Sequence, residues 1–428
     1  MIVYQTTKKG FLEDASNSIE KIIRSRVKEK LNIDIKPGSS EYISWQNSLG
    51  RAMYHVLNTK NIPDDSGVAV EYSIARTKNR IDFIITGQDA LGKEIAVIIE
   101  LKQWTHIEIT EKDAVVLTRF RHGLSEELHP SYQAWSYSTL LQGFNSVVYN
   151  EGIILLPCAY LHNCIDESVI KNKFYEDYLN KSPAFCNKDK EALQNFIAEH
   201  VKYGDKKNTL YRIENGEIKP SKNLADSLAS MIKGNQEFVM IDNQKIVYET
   251  GLFLAKKSSK DNKNVLIVEG GPGTGKSVVA INLLVAITNL RLNARYVTKN
   301  AAPRAVFESK LTGTLKKTHI SNLFTGSGSY VATKENSFDS LIIDEAHRLN
   351  EKSGIFKSII KSWVNQVGID SRLLKNKVKI PLPPISLQQT FATIVEHVER
   401  LKENVGRMNI NSAEMFDSLM HKAFRGEL

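Results

Sequence analysis

The chain has 428 residues, 42% hydrophobic and 25% charged, which suits a soluble protein of two or three domains with packed cores. Its 57 Lys and Arg against 48 Asp and Glu give a formal charge of +9, compatible with nucleic acid as a partner and equally with a merely basic surface. Three cysteines exclude a disulfide framework, and the N-terminus has no signal-peptide form. No run of eighteen apolar residues predicts a membrane span, so a cytoplasmic location without a membrane partner is expected.

Residues 1–205 read as the first domain. Helical patterns cover Ser16–Leu31 and Ser44–Leu57. Val68–Ile74, Arg80–Thr86 and Ile95–Leu101 are rich in Ile and Val and read as strands, with Gly87–Lys93 as a short hairpin connection. Cys158, His162 and Cys164 are close in sequence, but their spacing matches no paired-cysteine metal site and predicts buried structural roles. Gly204–Asn208 and Asn215–Lys222 are polar and read as linkers.

Within this domain, Asp82 interrupts one apolar strand, and Glu100 and Lys102 interrupt the next. Alternate strand residues share a face, so Glu100 and Lys102 lie on one side and a hairpin brings Asp82 beside them. Two carboxylates can hold Mg²⁺ against a phosphate, and a lysine can orient water and offset developing charge. Unpaired acids in buried strands are costly, which favours a functional reading. The pattern resembles PD-(D/E)xK nucleases. Gln133 and Tyr137, four apart on a predicted helix, resemble the extra helical motif of RecB-type nucleases, whose role is to position the active site and the DNA strand. Glu41 and Glu71 are further metal or structural acids. An inactive nuclease-like fold and a chance Glu-x-Lys stay open.

Residues 220–360 alternate helices with short apolar strands at Val265–Glu269, Ala294–Thr298 and Leu341–Asp344, which indicates a parallel sheet. Gly270, Gly271, Pro272, Gly273, Thr274, Gly275, Lys276 and Ser277 fit a phosphate-binding loop opening the helix Val278–Leu290. Lys276 would reach the β and γ phosphates of ATP and Ser277 would supply a hydroxyl to Mg²⁺. Asp344 would serve the metal and Glu345 the attacking water. Gln244 is placed as the glutamine that reads adenine in helicase-like ATPases, and a solvated surface role is its alternative. Together these residues resemble the Schlafen-group-3-like DNA/RNA helicase domain of superfamily one, from Pro220 to about Phe356. That resemblance implies ATP hydrolysis coupled to nucleic-acid movement. A second RecA-like domain needs on the order of 150 residues. Fewer remain after Leu349, so translocation by this chain alone is not expected.

Residues 372–428 open on the proline cluster Ile380 to Pro384, which cannot continue a helix. Phe391, Ile394, Val398, Leu401, Val405, Met408, Met415 and Leu419 then form a coiled-coil seam. This tail resembles the C-terminus of type I restriction specificity subunits, which implies docking on a restriction-modification subunit or self-association.

The expected fold is thus α/β: a nuclease-like domain, a truncated RecA-like P-loop sheet with flanking helices, and a C-terminal coiled-coil helix. The leading expectation is an ATP- and Mg²⁺-using DNA-processing enzyme of restriction or defence, with RNA not distinguished from DNA as substrate. The alternative is a non-catalytic module, a fusion remnant docking through its coiled coil.

Overall fold

A computed structural model of the protein describes residues 2–73, 80–120, 123–218, 239–259, 262–271, 274–298 and 337–346, with isolated residues between 305 and 333. Met1–Ser362 cluster as one unit. The proline cluster and the seam lie outside the described residues.

The chain begins with β1 (Ile2–Thr7), α1 (Lys8–Ser16), α2 (Ile19–Leu31), α3 (Ser40–Asn47), a π-helical turn at Ser48–Met53, and α4 (Tyr54–Leu57). The strands β2 (Gly67–Ser73), β3 (Arg80–Gln88) and β4 (Glu94–Lys102) come next, then β5 (Ile107–Ile109), β6 (Val115–Phe120) and β7 (Gly123–Leu128). After them are α5 (Pro130–Phe144), α6 (Ser146–Glu151), β8 (Ile154–Leu161), α7 (Glu176–Leu179), β9 (Ala184–Cys186), α8 (Lys190–His200) and α9 (Thr209–Asn215). The last described elements are α10 (Asn243–Lys257), α11 (Lys276–Asn289), β10 (Ala294–Thr298), β11 (Phe324–Thr325) and β12 (Ser340–Asp344).

The main sheet has the order β1-β2-β3-β4-β8-β9. Its first four strands run antiparallel, and β8 and β9 join in parallel. Alternation along the strands gives the sheet two apolar faces. Phe83, Ile85, Val97 and Ile99 pack with Phe11, Ile23, Trp45 and Leu193 from one set of helices. Ile84, Ala96 and Ile98 pack with Tyr137, Leu141, Leu210 and Ile213 from α5 and α9. The three strands expected from the sequence are present within two residues of their predicted ends, with Ile74 outside the described residues.

The alternation breaks at Glu71. Val70 and Tyr72 are two apart and should share a face, yet Val70 joins the first core and Tyr72 the second. Between them Glu71 has φ +55°, a left-handed conformation that rotates the strand by half a repeat. Ile81 and Phe83, opposite them, divide between the two cores in the same way.

Residues 204–208, expected as linker, instead form an anchor. Asp205 accepts hydrogen bonds from Thr86 Oγ1 (2.8 Å), Thr209 N (2.7 Å) and Leu210 N (3.1 Å). A polar stretch reads as linker in sequence, but here its carboxylate caps α9 and ties it to β3. Of the second expected linker, residues up to 218 are described, and Ile218 bridges Asn145.

The antiparallel sheet β5-β6-β7 has no counterpart among the elements expected from sequence. The second expected sheet is present as the parallel order β11-β10-β12, with Ile281, Leu284 and Ile287 of α11 packed on Ala294, Tyr296 and Phe324. Val265–Glu269 corrects the sequence expectation: it forms no strand, and Val265, Leu266, Ile267 and Val268 are exposed. An apolar run signals strand propensity, but a strand also needs a ladder partner, and β12 is paired only with β10 among the described strands.

Candidate functional site

The ladder between β3 and β4 ends at Phe83↔Ile99. One step further, the Asp82 side chain replaces a backbone partner: its Oδ2 accepts the Leu101 N–H at 2.8 Å. Glu100 and Lys102 continue the face of Ala96 and Ile98, and Lys102 Nζ lies 2.7 Å from Glu100 Oε1. The other carboxylate oxygen, Glu100 Oε2, is buried with no hydrogen-bond partner among the described residues. Asp82, Glu100 and Lys102 therefore meet, as the sequence predicts, on the floor of a cleft of about 430 Å³ that is also lined by Glu71, Arg80 and Gln133.

The wall of the cleft comes from α3. Its Ser39 N-cap starts the helix, and Ser44 and Asn47 hold the end of β4 through Gln103 (2.8 and 3.2 Å). Trp45 donates from Nε1 to Glu71 Oε1 at 2.8 Å, while Arg80 bridges Glu71 (3.0 Å) and Glu41 (2.9 Å). Glu41 and Glu71 are thus occupied by Arg80 on the rim.

Burial sets the protonation of this group. It pushes Glu71 up to about 7, with the neighbouring Asp82 adding to the effect. Burial also raises Asp82, and raises Glu100 well above the usual carboxylate range with Asp82 beside it. For Lys102 burial opposes the charge, but Glu100 and Asp82 outweigh it and hold the ammonium above its ordinary value. Two crowded carboxyls and an orphaned buried oxygen fit a hard divalent cation, which prefers oxygen donors and would relieve the repulsion.

Gln133 and Tyr137 share one face of α5, as predicted. Gln133 Nε2 donates to Tyr137 OH at 2.9 Å, and Tyr137 OH donates to Asp242 Oδ1 at 2.8 Å. Gln133 lines the cleft, whereas Tyr137 is buried behind it. Sequence reasoning missed Asp242. Its only signal was a charge two residues before Gln244, and nothing local indicates a partner 105 residues away.

Of the predicted phosphate loop, Pro272 and Gly273 lie outside the described residues. Gly275 caps α11 at φ +80°, a left-handed backbone that favours glycine, and a Cβ there would lie 2.4 Å from Gln244 Nε2 and displace that side chain. Gln244 donates to the Thr274 carbonyl at 2.9 Å. Lys276 Nζ folds onto the Gly270 and Gly271 carbonyls at 2.7 and 2.8 Å. Ser277 Oγ donates to Asp344 Oδ2 at 3.0 Å, and Tyr296 OH also reaches that carboxylate. Glu345 is next in the chain, its N–H on Asp344 Oδ1 at 3.0 Å. A hydroxyl and a carboxylate so placed suit a hydrated divalent cation.

Two other groupings are closed. Glu167, Cys186 and Asp189 converge, but Lys171 pairs with both acids and Lys188 with Glu167. Cys158, Cys164 and Cys186 are buried free thiols, and His162 bonds Ser48 and Asn163, which fits the structural roles expected.

Comparison with curated proteins and with solved structures gives no match. A protein-family model, Schlafen group 3, DNA/RNA helicase domain, matches residues 263–367. The match includes Lys276, Ser277 and Asp344 and begins after Gln244. None of the described helices is long and apolar enough to cross a membrane. The stretch from 263 to 367, which carries the loop, α11 and β12, is thus similar to a helicase domain named for DNA and RNA, over about a quarter of the chain.

Proposed function

We propose that the protein is a Mg²⁺-dependent DNA nuclease joined to an ATP-binding module. The observation that carries this reading is the meeting of Asp82, Glu100 and Lys102 on one cleft floor, with a buried carboxylate oxygen that has no hydrogen-bond partner among the described residues. Asp82 and Glu100 are the residues to hold Mg²⁺, which supplies Lewis-acid polarisation of a phosphate and an activated water. Lys102 leaves its pairing with Glu100 to orient that water and to offset charge on the phosphate oxygens. Gln133, on the cleft wall and fixed by Tyr137, positions the strand.

For the second site, Lys276 exchanges its loop carbonyls for the β and γ phosphates of ATP. Ser277 and Asp344 serve the accompanying Mg²⁺, Gln244 the adenine, and Glu345 the attacking water. A place in restriction or defence, with the C-terminal seam docking on a restriction-modification subunit or a second copy, extends the proposal beyond the described residues.

A non-catalytic reading has one observation in its favour. Lys102 already neutralises Glu100, and Asp82 already caps Leu101, so the trio can persist as structure. Cleavage of linear and single-stranded DNA with Mg²⁺, with and without ATP, separates the two. We expect wild-type cleavage and a loss of at least about 100-fold in Lys102→Ala. Folded wild-type protein that cuts neither substrate would overturn the nuclease reading and leave the non-catalytic one.

A further inference from the structure

Five consecutive residues, Met240 to Gln244, touch both proposed sites. At one end Tyr132 OH of α5 donates to the Met240 carbonyl at 2.6 Å, and Tyr137 OH donates to Asp242 at 2.8 Å. At the other, Gln244 accepts the Ile241 N–H at 3.2 Å and donates to Thr274 of the phosphate loop at 2.9 Å. From Tyr137 the contact continues through Gln133 into the carboxylate cleft.

The middle of this segment is held at a cost. Asp242 has φ +42° and ψ −124°, a region that favours glycine. Its Oδ2 is buried without a hydrogen-bond partner among the described residues. The same carboxylate acts electrostatically on Lys102 and Asp82, and on Glu100. A segment that stores conformational and desolvation cost between two ligand sites has the character of a switching element, because a small change at one end can release it.

We infer that nucleotide binding at the phosphate loop is transmitted to α5, and so to the cleft, through Met240–Gln244, with Asp242 as the positioning residue. The inference rests on both the nucleotide and the nuclease readings. Nucleotide that engages Gln244 or the Thr274 turn breaks or shortens their hydrogen bond. The shift passes through the Ile241–Gln244 contact to Asp242, then through the Tyr137 hydroxyl to Gln133.

Hydrogen exchange on the full chain tests this without requiring cleavage. Both arms contain the same Mg²⁺, and one contains adenylyl imidodiphosphate. We expect protection of the phosphate loop, together with a change of about threefold or more in the exchange of α5 amides around Gln133–Tyr137. Asp242→Ala should abolish the α5 response and keep the loop protection. Asp242→Asn, which retains an acceptor for Tyr137, should restore it. If Asp242→Ala does not fold, Tyr137→Phe removes the same hydrogen bond and takes its place in the test. A protected loop with unchanged α5 overturns the inference, as does an α5 response that survives Asp242→Ala. An unprotected loop overturns the nucleotide reading and the inference with it. The nuclease reading is judged separately, by Lys102→Ala in the cleavage assay.

Discussion

Glu71 sits where an ordinary strand would continue, in a backbone conformation that costs a non-glycine residue about 1–3 kcal/mol. The return for that cost is that its carboxyl faces Trp45 and Arg80 beside Asp82, on the rim of the cleft. Burial, with Asp82 as the second cause, raises Glu71 to about 7, so the folded protein keeps a proton that the unfolded chain releases near 4.5. A raised acid stabilises the fold below the unfolded value, and that contribution is lost as pH rises through the folded one. A displacement of this size corresponds to about 3 kcal/mol. Thermal melts without divalent ions should therefore fall between pH 4.5 and 7, and Glu71→Gln should flatten the fall. Asp82 and Glu100, shifted the same way, leave a residual slope that added Mg²⁺ should reduce. Parallel wild-type and mutant profiles would refute the assignment. The sequence made Asp82, Glu100 and Lys102 legible because acids in apolar strands demand a reason. It could not reveal Glu71's orientation, which depends on a backbone reversal that no residue pattern encodes.

At the scale of elements, β2, β3 and β4 were readable because each is apolar and bounded by polar turns, whereas β1, β8 and β9 of the same sheet were not among the expected strands. Phe83 is typical: fully buried and edge-on to Phe11 with ring centroids 5.3 Å apart. Phe83→Ala should cost about 3–5 kcal/mol in urea denaturation. The anchor at Asp205 was not readable, because a polar stretch between two helices looks the same whether or not its carboxylate finds a partner 119 residues away. Asp205→Ala removes three hydrogen bonds to a charged acceptor and should cost about 2–3 kcal/mol. The loss should appear first as faster amide exchange in α9, and a cost below about 0.5 kcal/mol would show the anchor to be incidental. The β5-β6-β7 sheet escaped prediction for a related reason: its strands are short and mixed in character, so pairing rather than propensity defines them.

For the molecule as a whole, what matters is that α10 is tied to the part of the unit that carries the carboxylate cleft. Lys245 of α10 pairs with Asp113 at 2.8 Å and lies over the Tyr132 ring of α5, and Lys112 reaches Thr250 at 3.1 Å. These contacts hold in place the helix that carries Gln244, the phosphate loop's glutamine. Lys276→Ala should lower nucleotide affinity at least about tenfold, read by fluorescence titration. Its melting temperature should stay within about a degree or two of wild type, because among the described residues Lys276 bonds exposed loop carbonyls alone. The seam proposed from the sequence over residues 391–419 makes its own prediction. Leu401→Asp should reduce the mass found by light scattering or abolish partner capture, and an unchanged mass with unchanged capture would count against assembly through those residues.

The exposed run from Val265 to Val268 carries a consequence for how the protein behaves in a tube. Four consecutive aliphatics, with Ile267 58% exposed, lie in a chain whose β12 has a free edge among the described strands. Such a pairing of sticky ribbon and open edge favours intermolecular sheet growth, so turbidity should set in at modest concentration. Ile267→Lys should raise that threshold several-fold while leaving the melting temperature unchanged, making colloidal behaviour, rather than fold stability, the property this segment governs.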